Sequence, residues 1–162
     1  MTFERVLQTT NSKSVFLIRL LVGWVFLSEG IQKFLFSDAL GVGRFTRIGI
    51  PAPQIMAPFV GVVEIVCGSL ILGGLLVRLA SVPLLVNIAV AILSTKIPML
   101  LGRPVWLFSV PKPPYGFWAM LHEARTDCSM LLALMFLLIV GAGGMSCDTV
   151  LARRASDSPR PG

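Results

Sequence analysis

Across 162 residues the chain is 55% hydrophobic and only 14% charged, with a mean hydropathy of +0.83, against about 45–50% apolar residues in soluble domains. That balance excludes a water-soluble globular domain. The net charge of +6 does not indicate nucleic acid, because the basic residues stand singly among apolar runs with no basic face or RNA-binding motif.

In chain order, Met1 to Lys13 is a short polar tail. Ser14 to Phe36 is the first run long enough to span a bilayer, which takes about 20 residues. It is too long for a signal-peptide core, carries Arg19, and lacks a clean cleavage site after it, so it is expected to stay as a helix. Gly23 and Gly30 share one stripe of it, and Glu29 and Lys33 stand at i, i+4, in the favourable order for pairing.

Ser37 to Met56 is read as a loop, rich in Gly and Pro; its Gly-Val-Gly is not a nucleotide fingerprint, since Thr46 stands where the third glycine belongs. The second span, Ala57 to Leu76, sets Glu64 between Gly61 and Gly68 on one stripe. A very short connection around Arg78 makes it an antiparallel neighbour of the third span, Leu79 to Leu101, whose Asn87, Ala91 and Ser94 form an inward polar face. Trp106, Phe108, Tyr115, Phe117 and Trp118 then crowd an expected membrane interface, with a helix lying in or continuing from it over Tyr115 to Ala124. The fourth span is placed at Asp127 to Met145, opened by the charged group His122-Glu123-Ala124-Arg125-Thr126-Asp127.

The predicted fold is therefore all-α, a polytopic membrane protein built as an antiparallel four-transmembrane-helix bundle. It divides into an N-terminal tail 1–13, the bundle 14–146 and a flexible C-terminal tail 147–162. The three cysteines, Cys67, Cys128 and Cys147, make no C-x-x-C pair and are not expected to form a disulfide.

Counting at 1.5 Å per residue puts Glu29 and Glu64 each about 10 Å inside the same membrane boundary. Lys96 and the charged opening of the fourth helix fall at that same end. The candidate polar pocket is thus Glu29, Lys33, Glu64, Lys96, His122, Glu123, Arg125 and Asp127, with Arg19 alone at the other end. A charge at the bilayer centre costs about 2.5–3.5 kcal/mol on insertion scales, so such residues turn to protein or water and find partners.

Two readings of the cluster stand side by side. In one, salt bridges fix helix orientation. In the other, a cavity open to one surface binds a small polar molecule or a quinone head while carboxylates exchange protons. One histidine cannot supply a His-rich metal site, so no metal is expected. Basic residues number six on the side of the termini (Arg5, Lys13, Arg78, Arg153, Arg154, Arg160) and five opposite (Arg44, Arg47, Arg103, Lys112, Arg125), which leans towards cytoplasmic termini.

Arg19-Leu20-Leu21-Val22-Gly23, Phe26, Gly30, Lys33, Gly49-Ile50-Pro51, Pro53, Ala57, Gly61, Glu64, Gly68, Gly74 and Arg78 together resemble the pattern of the DoxX family of small four-helix bacterial membrane proteins. Ser94-Thr95-Lys96-Ile97-Pro98 and His122 to Asp127 are similar to one branch of it. The resemblance implies a bacterial cytoplasmic-membrane subunit tied to redox, oxidative-stress or sulfur metabolism. It further implies a quinone as the cofactor to test for, and a soluble sulfurtransferase or a superoxide dismutase as the partner besides the lipid bilayer. It carries over no catalytic residue. A small-solute or proton-coupled transporter, for which a homo-oligomer would enclose the pore, and a non-catalytic anchor or assembly factor are the alternatives.

Overall fold

The computed structural model describes residues 12–156. The expected tail 1–13 lies outside the described residues except for Ser12 and Lys13, as does the end of the C-terminal tail from residue 157. The described chain runs α1 (Val15–Leu35), α2 (Val42–Ile48), α3 (Pro53–Gly73), α4 (Val77–Ala91), a π-helical turn (Ile92–Lys96), α5 (Ile97–Leu101), α6 (Phe117–Val140) and α7 (Cys147–Ser156).

Among the described residues, three stretches are long and apolar enough to cross a membrane: Val15–Leu35, Pro53–Gly73 and Val77–Leu101, the last running through α4, the π turn and α5. Their outward faces carry exposed Leu17, Trp24, Ile55, Phe59 and Val86, an apolar surface that lipid covers. Helix α6 packs with them but carries His122, Glu123, Arg125 and Asp127 in its first half.

Contacts close a ring: α1 on α3, α3 on α4, α4 on α6 and α6 back on α1. Neighbours run antiparallel. Arg19 near the start of α1 meets Ile71 near the end of α3, and Arg78 at the start of α4 donates to the Ile139 carbonyl at the end of α6. The apolar core, including Val22, Ile71, Leu84, Leu134 and Leu137, fills the half of the ring nearest Arg19.

The α1/α3 crossing is set by glycine. A Cβ on Gly30 would stand 2.7 Å from the Gly61 carbonyl oxygen, and one on Gly68 would stand 2.8 Å from the Leu27 nitrogen. Both obstacles are backbone, so helices must separate to admit a methyl. Gly30→Ala and Gly68→Ala are each expected to cost about 1–3 kcal/mol. Gly73→Ala, with nothing within 4 Å, should stay within about 0.5 kcal/mol of wild type. Melting in detergent checks the series, and equal losses at all three positions would refute the close approach.

Three stretches depart from expectation. The loop 37–56 contains α2, which begins directly after Gly41 and ends at Gly49, whose φ is 90°. The helix expected within Tyr115 to Ala124 is present, but it runs on without a break through Asp127 as α6 and ends at Val140 instead of Met145, its charged first turns lying on an exposed face. The expected flexible tail begins instead as α7, and Asp148 in its first turn is 1% exposed. The Asp148 carboxylate accepts the Leu76 and Val77 N–H groups at 2.7 and 3.2 Å, capping α4, which has no other side chain there. Burial pushes this carboxyl above the ordinary aspartate range, while those two donors and the Arg19 charge pull it back.

The π turn has a local cause. Pro98 has no N–H to donate to Ser94, and its ring crowds that carbonyl, so the preceding turn widens. Thr95 and Ser94 hydroxyls both turn back to the Ala91 carbonyl, at 2.6 and 3.3 Å.

Candidate functional site

Glu64 is the centre of the polar half. It projects from the middle of α3 and is only 3% exposed, on the same stripe as Gly61 and Gly68. Lys33, near the end of α1, donates to Glu64 Oε2 at 2.6 Å, and Asn87 Nδ2 on α4 donates to Oε1 at 2.7 Å. Both carboxylate oxygens are thus held by donors from two different helices. Such charge-assisted bonds are stronger than those between neutral groups.

The lysine makes a different choice from the one its spacing suggests. Glu29, four residues before it, lies 3.8 Å away and its side chain is 46% exposed, whereas the Glu64 side chain is 4% exposed. Lys33 therefore serves mainly as an interhelical partner, with Glu29 on the rim. A second pair, Lys96 to Asp127 at 3.2 Å, ties the π turn to α6.

These groups border a cavity of about 180 Å³. Glu29, Lys33, Glu64, Asn87 and Asp127 give it a polar side, and Val25, Phe26, Val60, Ile88 and Met130 supply apolar walls. Ser94 and Thr95 reach it from the π turn, and Arg44 of α2 stands at its edge. Arg44 is not among the residues that the sequence points to, because the glycine-rich stretch that holds it reads as loop. Asn87 lies on the inward face that the sequence predicts, where periodicity gives it no partner.

Of the sequence candidates, Glu29, Lys33, Glu64 and Asp127 line the cavity, and Lys96 joins it through Asp127. His122, Glu123 and Arg125 do not line it; all three are exposed. A period of 3.6 residues turns His122 and Arg125 away from the Asp127 face, and Glu123 lies one turn before Asp127, outside the packed part of the ring. His122 Nδ1 is 3.5 Å from the Arg125 guanidinium. The three thiols are unpaired, Cys67 buried and Cys128 and Cys147 exposed.

Arg19 is not alone at the opposite end. Its guanidinium, 3% exposed, donates to the carbonyls of Ile71, Leu72, Ala142 and Met145 at 2.6–3.1 Å, close to the Asp148 cap. No sequence signal identified Asp148, whose role exists only once α7 folds back on the start of α4.

Comparison with known proteins agrees with this architecture. The DoxX family description matches residues 14–97. An uncharacterized membrane protein of Mycobacterium tuberculosis is 54% identical over 155 residues, covering 96% of this chain and 91% of that protein. No solved structure matches the chain.

Proposed function

Because the chain belongs to the DoxX family of membrane proteins, we propose that it is an integral subunit of a redox-linked or sulfur-metabolising membrane assembly, holding a quinone ring or a similarly small polar molecule beside Glu64. The observation that carries this reading is the Glu64 carboxylate, buried among apolar walls yet bonded by Lys33 and Asn87 at the side of a cavity. Salt bridges that serve only to orient helices require no such space next to them.

The residues fit a quinone. An apolar cavity of about 150 Å³ accepts a benzene ring, so about 180 Å³ suits one substituted ring. Lys33 keeps N–H donors beyond the one given to Glu64, and Arg44 offers more at the edge, for the ring's carbonyl oxygens. A bound quinone supplies two-electron, two-proton acceptor chemistry. The chain's own part is to hold the ring, orient its carbonyls and keep a proton exchangeable at Glu64, with Glu29 linking Lys33 to the exposed rim.

In this reading α6 is the fourth span. Leu132 and Ile139 on its outer face are 66% and 71% exposed, matching the lipid-facing residues of the other three helices. The membrane is the bacterial cytoplasmic one with cytoplasmic termini. A soluble sulfurtransferase or superoxide dismutase docks on the exposed aromatic loop around Trp106 and Trp118. A transporter is less well supported, since fully buried Val22, Ile71, Leu84, Leu134 and Leu137 separate the cavity from the far end.

The test is equilibrium binding of decylubiquinone to the detergent-solubilised protein. Saturable binding is expected, weakened about tenfold or more, or ~1.4 kcal/mol, by Glu64→Gln and by Lys33→Met, and unchanged by His122→Ala. Absence of saturable binding overturns the quinone assignment.

A further inference from the structure

A second cavity, of about 450 Å³, lies beside the first and is lined by Arg44, Arg47, Ile48, Thr95, Ser109, Val110, Pro111 and Lys112. Three cations line it and no carboxylate does. Arg44 borders both cavities.

The cations are brought together by backbone. Arg44 and Arg47 stand at i, i+3 on α2, hence on one face of it. The loop carrying Lys112 docks against the end of that helix, where Ser109 N–H donates to the Ile48 carbonyl at 2.8 Å. The Leu107 carbonyl lies so close to Gly49 that any Cβ there would overlap it. The convergence of positive charge is therefore built into the docking of two segments more than fifty residues apart.

No carboxylate lining this hollow offsets that charge. Among the described residues Arg44 and Lys112 make no hydrogen bond or ion pair. Arg47 spends two N–H groups on the Asp38 and Ala39 carbonyls, both at 3.0 Å, which fixes its guanidinium but leaves its charge. Like charges gathered in one hollow repel one another, and an anion between them reverses the sign of that energy. The Arg44 fork, the charge and remaining N–H groups of Arg47, a lysine point charge and the Ser109 hydroxyl match a tetrahedral oxyanion with several acceptor oxygens.

We propose that this hollow binds a phosphate group. Exposed Trp106 and Leu107 stand three and two residues before the lining Ser109 in the same loop, amphipathic and apolar side chains of the kind that sit at headgroup level. Phosphate on an anionic phospholipid and phosphate on a small soluble ester share this recognition chemistry, and competition distinguishes them.

The experiment is native mass spectrometry of the full chain in mild detergent, offered dioleoylphosphatidylglycerol and dioleoylphosphatidylcholine in equal amounts. Preferential retention of phosphatidylglycerol is expected, falling about tenfold in the Arg44→Gln/Arg47→Gln/Lys112→Gln variant. All three side chains are exposed, so the variant should stay folded in a melting assay, losing only the two surface hydrogen bonds that Arg47 gives to the Asp38 and Ala39 carbonyls. Arg103→Gln, an exposed cation outside the hollow, should retain lipid as wild type does. Displacement of the lipid by excess glycerol 1-phosphate assigns the site to phosphate esters generally; retention against it assigns the site to the lipid. Equal retention of both lipids, an unchanged triple variant, or an equal loss in Arg103→Gln overturns the proposal. Glu64→Gln should leave lipid retention intact, so failure here and failure of quinone binding are read separately.

Discussion

Replacing Arg19 with leucine is expected to destabilise the folded protein by about 3–5 kcal/mol, a large share of the roughly 5–15 kcal/mol available to a domain. The guanidinium satisfies four carbonyls that terminate α3 and follow α6, those of Ile71, Leu72, Ala142 and Met145. Helix ends leave carbonyls without intrahelical donors; with Arg19 3% exposed, its loss takes the donor from the Leu72, Ala142 and Met145 carbonyls, while that of Ile71 keeps the Gly74 N–H at 3.1 Å. Each orphaned buried acceptor costs about 1–3 kcal/mol, softened by relaxation of the ends. Arg19→Lys should recover less than half of the loss, because three protons on one nitrogen cannot span carbonyls that a planar fork reaches. Urea unfolding in mixed detergent measures both variants. A leucine variant with an unchanged midpoint would show that this knot does not hold the helix ends together.

The second large effect concerns the polar half. Glu64→Leu leaves the Lys33 ammonium, 11% exposed, with only the rim carboxylate of Glu29 at 3.8 Å, and strips Asn87 of its acceptor. A buried charge deprived of its partner costs about 3–5 kcal/mol. Replacing both members with apolar side chains is often neutral or stabilising, so Lys33→Met/Glu64→Leu should recover most of that stability while failing to bind the quinone analogue. Pairwise hydrogen bonds in a membrane bundle average only about 0.6 kcal/mol, and a single-mutant loss that small would mean that water reaches Lys33. Recovery of stability together with unimpaired binding would remove Lys33 and Glu64 from ligand binding, leaving the pair as an orienting device. A double-mutant cycle on one unfolding assay isolates the coupling.

The positions of the acids were legible because lipid makes them conspicuous. Glu64 and Lys33 interrupt long apolar runs, and residue counting alone set them at the same end of the ring, where they meet at 2.6 Å. The same counting put Lys96 and Asp127 at one end of the ring, where they stand 3.2 Å apart. Composition misled where a helix is short or polar. Glycines at 41, 43 and 49 made α2 read as loop, although two of them bracket it as its ends. The charges of His122 to Asp127 made α6 read as an interfacial helix followed by a span, although charge on an exposed helical face costs little.

What the sequence determined by itself is the three long apolar helices, their antiparallel order and the end of the ring at which Glu64, Lys33, Lys96 and Asp127 stand, since hydropathy, connection length and a rise of 1.5 Å per residue act locally. Only the tertiary structure decided partnership. Lys33 prefers Glu64 across the glycine crossing over Glu29 on its own helix, Arg44 comes to border two cavities, and Asp148 returns from the end of the chain to cap α4. Those choices depend on side-chain direction and on how closely two backbones approach, and neither quantity is a property of any one segment.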